Sequence, residues 1–262
     1  MKSYSFTYME NADVTKYDFT LHSHDEYEIY MYLDGDTHYV VEGRNYSLEP
    51  NDIIIIRRGE MHRLYHKSNA PYSRIVLMVN PDFFVENKCQ NYEKQFLNTS
   101  GSIGNKINAA TVKSSGLFDA FERLRKYSNQ FENYETPVCR ALVTEILYII
   151  DNISDFSPDD IPNEQIRKAI KYINSNFTND VSIEDIADYC YVSKYHLCRI
   201  FKESTGLTIH EFITRKRIQH IRELRLSGMN LTNAVLNSGF NNYSNFYRSY
   251  VKITGHSPKD LS

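Results

Sequence analysis

Tryptophan is absent from this chain, glycine and proline number only 10 and 7 in 262 residues, and there are four cysteines. So little Gly and Pro excludes collagen-like composition and long flexible linkers. Cys89, Cys139, Cys190 and Cys198 form no C-x-x-C pair, which excludes a disulfide framework or a cysteine zinc site and fits a reducing cytosol. The longest apolar stretches, Ile53–Ile56 and Ile146–Ile150 with its tyrosine, are far too short to span a bilayer. The opening MKSYSFTYMENADVTKYD is polar, so no secretory signal, no membrane partner and a cytoplasmic location are expected.

What is there is ordinary for a globular protein: 41% hydrophobic and 24% charged residues, with a high tyrosine count of 21. The length suits one large domain or two ordinary ones, ample for a core without metal or disulfide staples. The net charge of −3 is uneven. Residues 161–262 carry 14 Lys and Arg against 9 Asp and Glu, whereas residues 1–160 carry 16 against 24. Only the C-terminal part is therefore expected to meet a polyanion.

Residues 18–80 read as strands. In 21–35, Leu21, Tyr27, Ile29, Met31 and Leu33 alternate onto one face and His22, His24, Glu28, Tyr30 and Tyr32 onto the other. Further strands are expected at 38–43, 46–52, 52–60 and 74–80, short enough for an antiparallel sandwich or barrel. From Pro81 the period becomes helical: PDFFVENK, then 115–131, then Thr136–Ile153 with Pro137 in its first turn and a stripe of Leu142, Ile146, Ile149, Ile150 and Ile153. Residues 98–111 read as loop. The prolines and acids of 154–163 read as a linker. Beyond it every segment reads as helix, with Ser182, Ser193, Thr208, Asn230 and Asn242 as caps.

Two of these segments match at a fixed offset of 49. SKYHLCRIFKESTG (193–206) lies over NYSNFYRSYVKITG (242–255), so that Leu197 meets Phe246, Arg199 meets Arg248, and Thr205-Gly206 meets Thr254-Gly255. Each is preceded by a shorter helix and a tight turn, which together make a helix-turn-helix unit. The single helix joining them, about 18 residues at about 1.5 Å each, reaches about 27 Å. Successive major grooves on one face of DNA lie about 34 Å apart. Offset packing closes that gap, so the spacing fits one chain reading two adjacent grooves.

The last hundred residues resemble the AraC/XylS family of transcriptional regulators. The shared pattern is Ile186-Ala187, Ser193, Leu197, Arg199, Phe201-Lys202, Thr205-Gly206, the cluster Arg215–Arg217, Gly239-Phe240, Phe246, Arg248, Gly255 and Pro258. The second unit departs from it, with Ala234-Val235 in place of Ile-Ala and Tyr250-Val251 in place of Phe-Lys. That substitution predicts looser packing of its short helix and one phosphate contact fewer. The resemblance implies that Lys194, Tyr195, Cys198 and Arg199 of the first unit and Tyr243, Ser244, Tyr247 and Arg248 of the second face double-stranded DNA. It assigns Lys202, Arg215 and Arg217 to phosphates and leaves Leu197, Ile200, Phe201, Phe246 and Tyr250 in the core. A homodimer, a small-molecule effector and RNA polymerase are the further partners it implies.

In the first half, H-x-H-x3-E-x6-G (His22, His24, Glu28, Gly35) and a later Gly59/His62 resemble the two motifs of the cupin superfamily, a small antiparallel barrel. In cupin enzymes such residues hold a divalent metal. Here Asn51, Arg57 and His66 depart from the second motif. Three readings follow for His22, His24, Glu28 and His62: a metal-dependent enzyme, a metal-free polar pocket with Tyr30 and Tyr32 as stacking faces, or a remnant whose histidines satisfy hydrogen bonds. Fusion to a DNA-binding half favours sensing, of a sugar for example, over turnover, and the metal-free pocket is preferred. No cofactor is required, and a divalent metal is the one candidate. The expected architecture is α+β: a cupin-like barrel at 1–80, a helical dimerisation region at 81–153, a linker at 154–163 and a double helix-turn-helix domain at 164–262. The competing reading is a cupin-type metalloenzyme with a nucleic-acid-binding tail.

Overall fold

The period-two stretches fold into two antiparallel sheets. A computed structural model of the chain describes residues 2–16, 21–97, 104–130, 136–154, 156, 164–255 and 257–261. These form two compact units, Met1–Pro162 and Asn163–Ser262. The expected linker lies outside the described residues except at Ser154 and Phe156.

In the first unit the strands are β1 (Tyr4–Ala12), β2 (Tyr27–Asp34), β3 (Thr37–Val41), β4 (Arg44–Ser47), β5 (Ile53–Ile56), β6 (His62–His66), β7 (Tyr72–Val79) and β8 (Lys106–Ile107). One sheet runs β1-β7-β2-β5-β8 and the other β4-β3-β6. An isolated bridge, His22 to His62, links the segment before β2 to β6. The hairpin between β3 and β4 turns on Glu42 and Gly43, both at positive φ, as a two-residue turn with the twist of its strands demands.

The alternation read in β2 is real, and both of its faces are buried. Tyr27, Ile29 and Met31 join one core with the helices, while Tyr30 and Tyr32 join a second core between the sheets, with Tyr39, Tyr46, Ile54, Ile56, Leu64, Tyr72 and Val76. The unbroken Ile53–Ile56 run has the same cause: Ile53 and Ile55 face the helices, Ile54 and Ile56 the opposite sheet.

The helices of this unit are α1 (Pro81–Glu86), α2 (Lys94–Leu97), α3 (Ala109–Ser114), α4 (Leu117–Gln130) and α5 (Pro137–Asp151). Thr136 caps α5 through Cys139 N, and Pro137 occupies its first turn. Two expectations need correction. The stretch expected to be loop carries β8 and α3, because Lys106 and Ile107 extend the five-stranded sheet and Asn108 caps a helix through Thr111 N. The stripe Leu142, Ile146, Ile150 and Ile153 is not an exposed seam for a dimer. It is buried against the five-stranded sheet in the same core as Ile29 and Leu77, with Ile149 packed at its margin. Each such fully enclosed aliphatic side chain contributes about 1.5–3 kcal/mol, so this packing alone explains the stripe.

The second unit is helical: α6 (Glu164–Asn176), α7 (Ile183–Cys190), α8 (Lys194–Thr205), α9 (Ile209–Leu226), α10 (Leu231–Asn237) and α11 (Tyr243–Thr254). All five caps read from the sequence accept the expected backbone hydrogen bonds. Ser182 with Asp185 and Thr208 with Glu211 form complete capping boxes. Both α8 and α11 stop at a left-handed glycine, Gly206 and Gly255. Looser packing of the second copy is not observed, since Ala234 and Val235 are both fully buried in a core with Ile221, Phe246 and Tyr250.

Candidate functional site

The helix-turn-helix pairs are α7–α8 and α10–α11. In each, the apolar side of the second helix is buried: Leu197, Ile200 and Phe201 in α8, Phe246 and Tyr250 in α11. The opposite side faces solvent. Lys194, Tyr195 and Arg199 of α8 are exposed and Cys198 is half-buried; in α11 Tyr243, Ser244, Tyr247 and Arg248 are exposed. The first-unit cations already have partners. Lys194 pairs with Glu184, and Arg199 pairs with Glu203 one turn on, at 3.1 and 3.2 Å to its two oxygens. Such exposed pairs are worth little, so phosphate or base oxygens can displace them. Arg248 donates to the amide oxygen of Asn245 at 2.7 Å. A cavity of about 740 Å³ beside α8 is lined by Ile183, Cys198, Arg199, Lys202, Glu203, Thr208, Ile209 and His210.

The three cations assigned to phosphates divide. Lys202 is exposed on the rim of that cavity. Arg217 is already engaged by backbone carbonyls. Its Nε donates to the Phe177 carbonyl at 2.6 Å and its Nη2 to the Asn179 carbonyl at 2.8 Å, while the guanidinium lies 5.8 Å from the Phe240 ring. It satisfies carbonyls of the short segment that follows α6. Arg225 acts alike, donating to the carbonyls of Leu261 and Met229. Arg215 is half-buried, and burial outweighs the pull of Glu211, so its guanidinium is drawn below its ordinary value.

In the first unit, His22, His24 and His62 converge so that one ring nitrogen of each lies within 4.8 Å of the others. The backbone bridge between His22 and His62 holds two of them; β2 brings Glu28 to the third. His24 Nδ1 donates to the Glu26 carbonyl at 2.9 Å and His62 Nδ1 to the Glu60 carbonyl at 2.8 Å. Because a carbonyl only accepts, each Nδ1 carries the proton. Both Nε2 atoms then aim at one oxygen, Glu28 Oε2, at 3.1 and 3.5 Å. The buried His62 Nε2 makes no hydrogen bond there. Two neutral imidazoles directed at one carboxylate oxygen leave lone pairs facing lone pairs, unless a proton or a metal cation lies among them.

Glu28 is fixed further by the Tyr39 hydroxyl, which donates to Oε1 at 3.1 Å. Burial would raise its carboxyl, but the hydrogen bond of His24 and the charge of both imidazoles outweigh that and hold it well below the usual carboxylate range. For His24 burial pulls down, yet Glu28 and the Glu26 carbonyl leave it raised. The sequence placed these four residues together. It did not place Tyr39 beside them, although Tyr39 and Val41 alternate into the same core.

The expected stacking faces are not open. Tyr30 is fully buried with its hydroxyl on Tyr72 at 3.2 Å, and Tyr32 is enclosed and bonded to the Gly35 carbonyl. Tyrosine rings fill the space between the sheets, so they are core in this state. No helix among the described residues is long and apolar enough to cross a membrane.

Comparison with known proteins agrees with both halves. Residues 7–99 match the family described as an AraC-like ligand binding domain, and residues 186–262 match the helix-turn-helix domain family. An uncharacterized HTH-type transcriptional regulator of Staphylococcus aureus is 20% identical over 230 residues, covering 87% of this chain and 30% of that protein. The chain thus spans about a third of the length of such relatives. The HTH-type transcriptional activator RhaS of Citrobacter koseri is 23% identical over 253 residues, covering 93% of this chain and 87% of RhaS. Among solved structures, apo ToxT of Vibrio cholerae is 15% identical with a TM-score of 0.40, covering 99% of this chain and 97% of that one.

A ligand-binding domain joined to a helix-turn-helix domain defines a two-domain class of protein, and α8 and α11 lie in the second of those domains. Within that class, the chain belongs to the AraC family.

Proposed function

We propose that this regulator binds two adjacent major grooves of one operator through α8 and α11 and changes its grip when a small molecule occupies the N-terminal unit. The observation that carries the DNA half is the paired exposure of Lys194, Tyr195 and Arg199 on α8 and of Tyr243, Ser244, Tyr247 and Arg248 on α11, each opposite a buried apolar face. Arg199 and Arg248 serve as the base readers, with Lys202 and Arg215 on phosphates. Selection of bound sequences from a random duplex pool at fixed salt, with the full chain, tests this. A two-part consensus with centres about one helical turn apart supports it; a one-part consensus removes α11 from the reading.

The N-terminal unit acts as a sensor, not an enzyme, in a cytoplasmic protein whose output reaches RNA polymerase. A homodimer remains part of this proposal, but its contact is not the buried stripe. Val138 and Tyr148, 40% and 51% exposed, are what α5 leaves available to a second copy. Light scattering of the full chain checks the dimer, and Tyr148→Asp is expected to shift it toward monomer.

A second reading has a specific observation behind it. The convergent Nε2 atoms of His24 and His62, each with Nδ1 fixed on a carbonyl, fit a divalent transition metal with His22 and Glu28 as further ligands. There the metal would supply a Lewis-acidic contact for an effector oxygen. Elemental analysis of the purified chain tests it: stoichiometric metal lost in His62→Ala establishes the metal reading, and none removes it, leaving the metal-free pocket and the remnant.

A further inference from the structure

The first helix-turn-helix unit keeps a tyrosine where the backbone favours glycine. Tyr191, which ends α7, stands at φ 57 and ψ 42, in the left-handed region. A bulky side chain is strained there, and such strain clusters at functional positions. Packing does not explain it. Tyr191 and Tyr195 are the most exposed tyrosines among the described residues, at 88 and 86%. The Tyr191 hydroxyl makes no hydrogen bond among those residues. What its ring meets is the Lys168 ammonium of α6, 5.8 Å from the ring centre. No carboxylate among the described residues makes an ion pair with Lys168.

The place of this pair says what it can meet. Ser193, two residues on, caps α8, and Lys194 and Tyr195 open that helix. A recognition helix enters the major groove by its N-terminal residues. A residue just ahead of that end is then set at the sugar-phosphate rim of the same groove. The second unit has no counterpart. Its turn carries Gly239, where a β-carbon would lie 2.7 Å from the Thr178 carbonyl oxygen, so no side chain projects from it.

A phenol and an ammonium both donate hydrogen bonds, and one phosphate accepts from both. Lys194 and Arg199 must first leave Glu184 and Glu203, whereas Lys168 leaves no acid behind. An apolar partner would cover these two donors without answering them.

We propose that Tyr191 and Lys168 together hold a backbone phosphate at the edge of the groove entered by α8, a contact that adds affinity without adding sequence preference. This rests on the reading of DNA by α8 proposed above.

The test uses the full chain and two duplexes, one selected from the random pool and one unrelated of equal length. In Tyr191→Phe, which keeps the ring and loses the hydroxyl, binding to both is expected to weaken about tenfold, as for one hydrogen bond to a charged group. In Lys168→Ala both weaken, and the slope of log affinity against log salt concentration falls by about 0.9, as for one phosphate fewer. Tyr191→Gly is expected to bind both less tightly while its thermal transition does not fall; a fall in both makes the tyrosine structural and overturns the proposal. Parent-like binding in Tyr191→Phe, an unchanged salt slope in Lys168→Ala, or weakening confined to the selected duplex also overturns it. Arg199→Ala separates this contact from the reading it rests on. If Tyr191→Phe and Lys168→Ala bind as the parent does while Arg199→Ala weakens the selected duplex, only the phosphate contact falls. If Arg199→Ala also binds as the parent does, the reading by α8 falls with it.

Discussion

Both helix-turn-helix copies cap each of their helices with a side chain and stop the second at a glycine, yet their turns are built differently. From cap to cap the first runs Ser182 to Ser193 and the second Asn230 to Asn242, one residue longer. The first turn passes through Tyr191 in the left-handed conformation, φ 57, with its side chain 88% exposed. A bulky residue there is strained. The second turn passes through Gly239 at φ 85, where a β-carbon would sit 2.7 Å from the Thr178 carbonyl oxygen. One turn tolerates a side chain because it faces solvent; the other forbids one because backbone lies against it. The repeat conserves the outline of the motif, and the local neighbours decide which residue each turn accepts.

Substitutions at these positions break the comparison most sharply at Gly239. Gly239→Ala combines left-handed strain with a backbone clash and is expected to destabilise the C-terminal unit by about 3 kcal/mol or more. Thermal unfolding followed by circular dichroism measures it; a change under 1 kcal/mol (about the cost of the strain alone) would show that the Thr178 contact yields. Next come the readers. Arg248→Ala is expected to lose about 1–3 kcal/mol of operator affinity, and Arg199→Ala less, because Glu203 competes for Arg199 in the free protein. Glu203→Gln sharpens this in the opposite sense by tightening binding. Gel shifts at one salt concentration decide it, and a looser Glu203→Gln complex would refute the competition.

The caps come third. Ser182 holds a full capping box, whereas Asn230 accepts one amide. Ser182→Ala is expected to cost about 1 kcal/mol, and Asn230→Ala less, by denaturant titration. The smallest effect is a gain: Tyr191→Gly relieves the strained turn and stabilises by no more than about 1 kcal/mol. Loss of stability there would mean that the contact of Lys168 with the Tyr191 ring, at 5.8 Å, outweighs the strain.

Local signals in the chain are legible, and long-range ones are not. Caps, periods and glycine stops depend on a few adjacent residues, so Ser193, Thr208 and Asn242 located their helices correctly. The convergence of His22, His24, Glu28 and His62 was legible because motif spacing and strand alternation both pointed to it. β1 was missed because its outward residues are polar and mixed, YSFTYMENA, with half the strand only partly buried. The fate of the α5 stripe needed a partner surface far off in the chain, at Ile29 and Leu77, and the difference between Arg217 and Lys202 depends on carbonyls at Phe177 and Asn179 that no pattern in the sequence announces.

The short segment after α6, residues 177–179, is touched from two sides. Arg217 of the connecting helix binds its carbonyls, and Gly239 of the second turn lies against it. That corner ties the helix between the copies and the entrance to α11 to one spot. Under the proposed two-groove reading, this corner makes the spacing of the two recognition helices act as a gauge and not as a hinge. Such a gauge imposes a phase on the operator. One extra base pair between the two contacted segments advances the second by about 3.4 Å and turns it by about a tenth of a revolution. A rigid reader cannot follow both displacements at once and keeps one groove only.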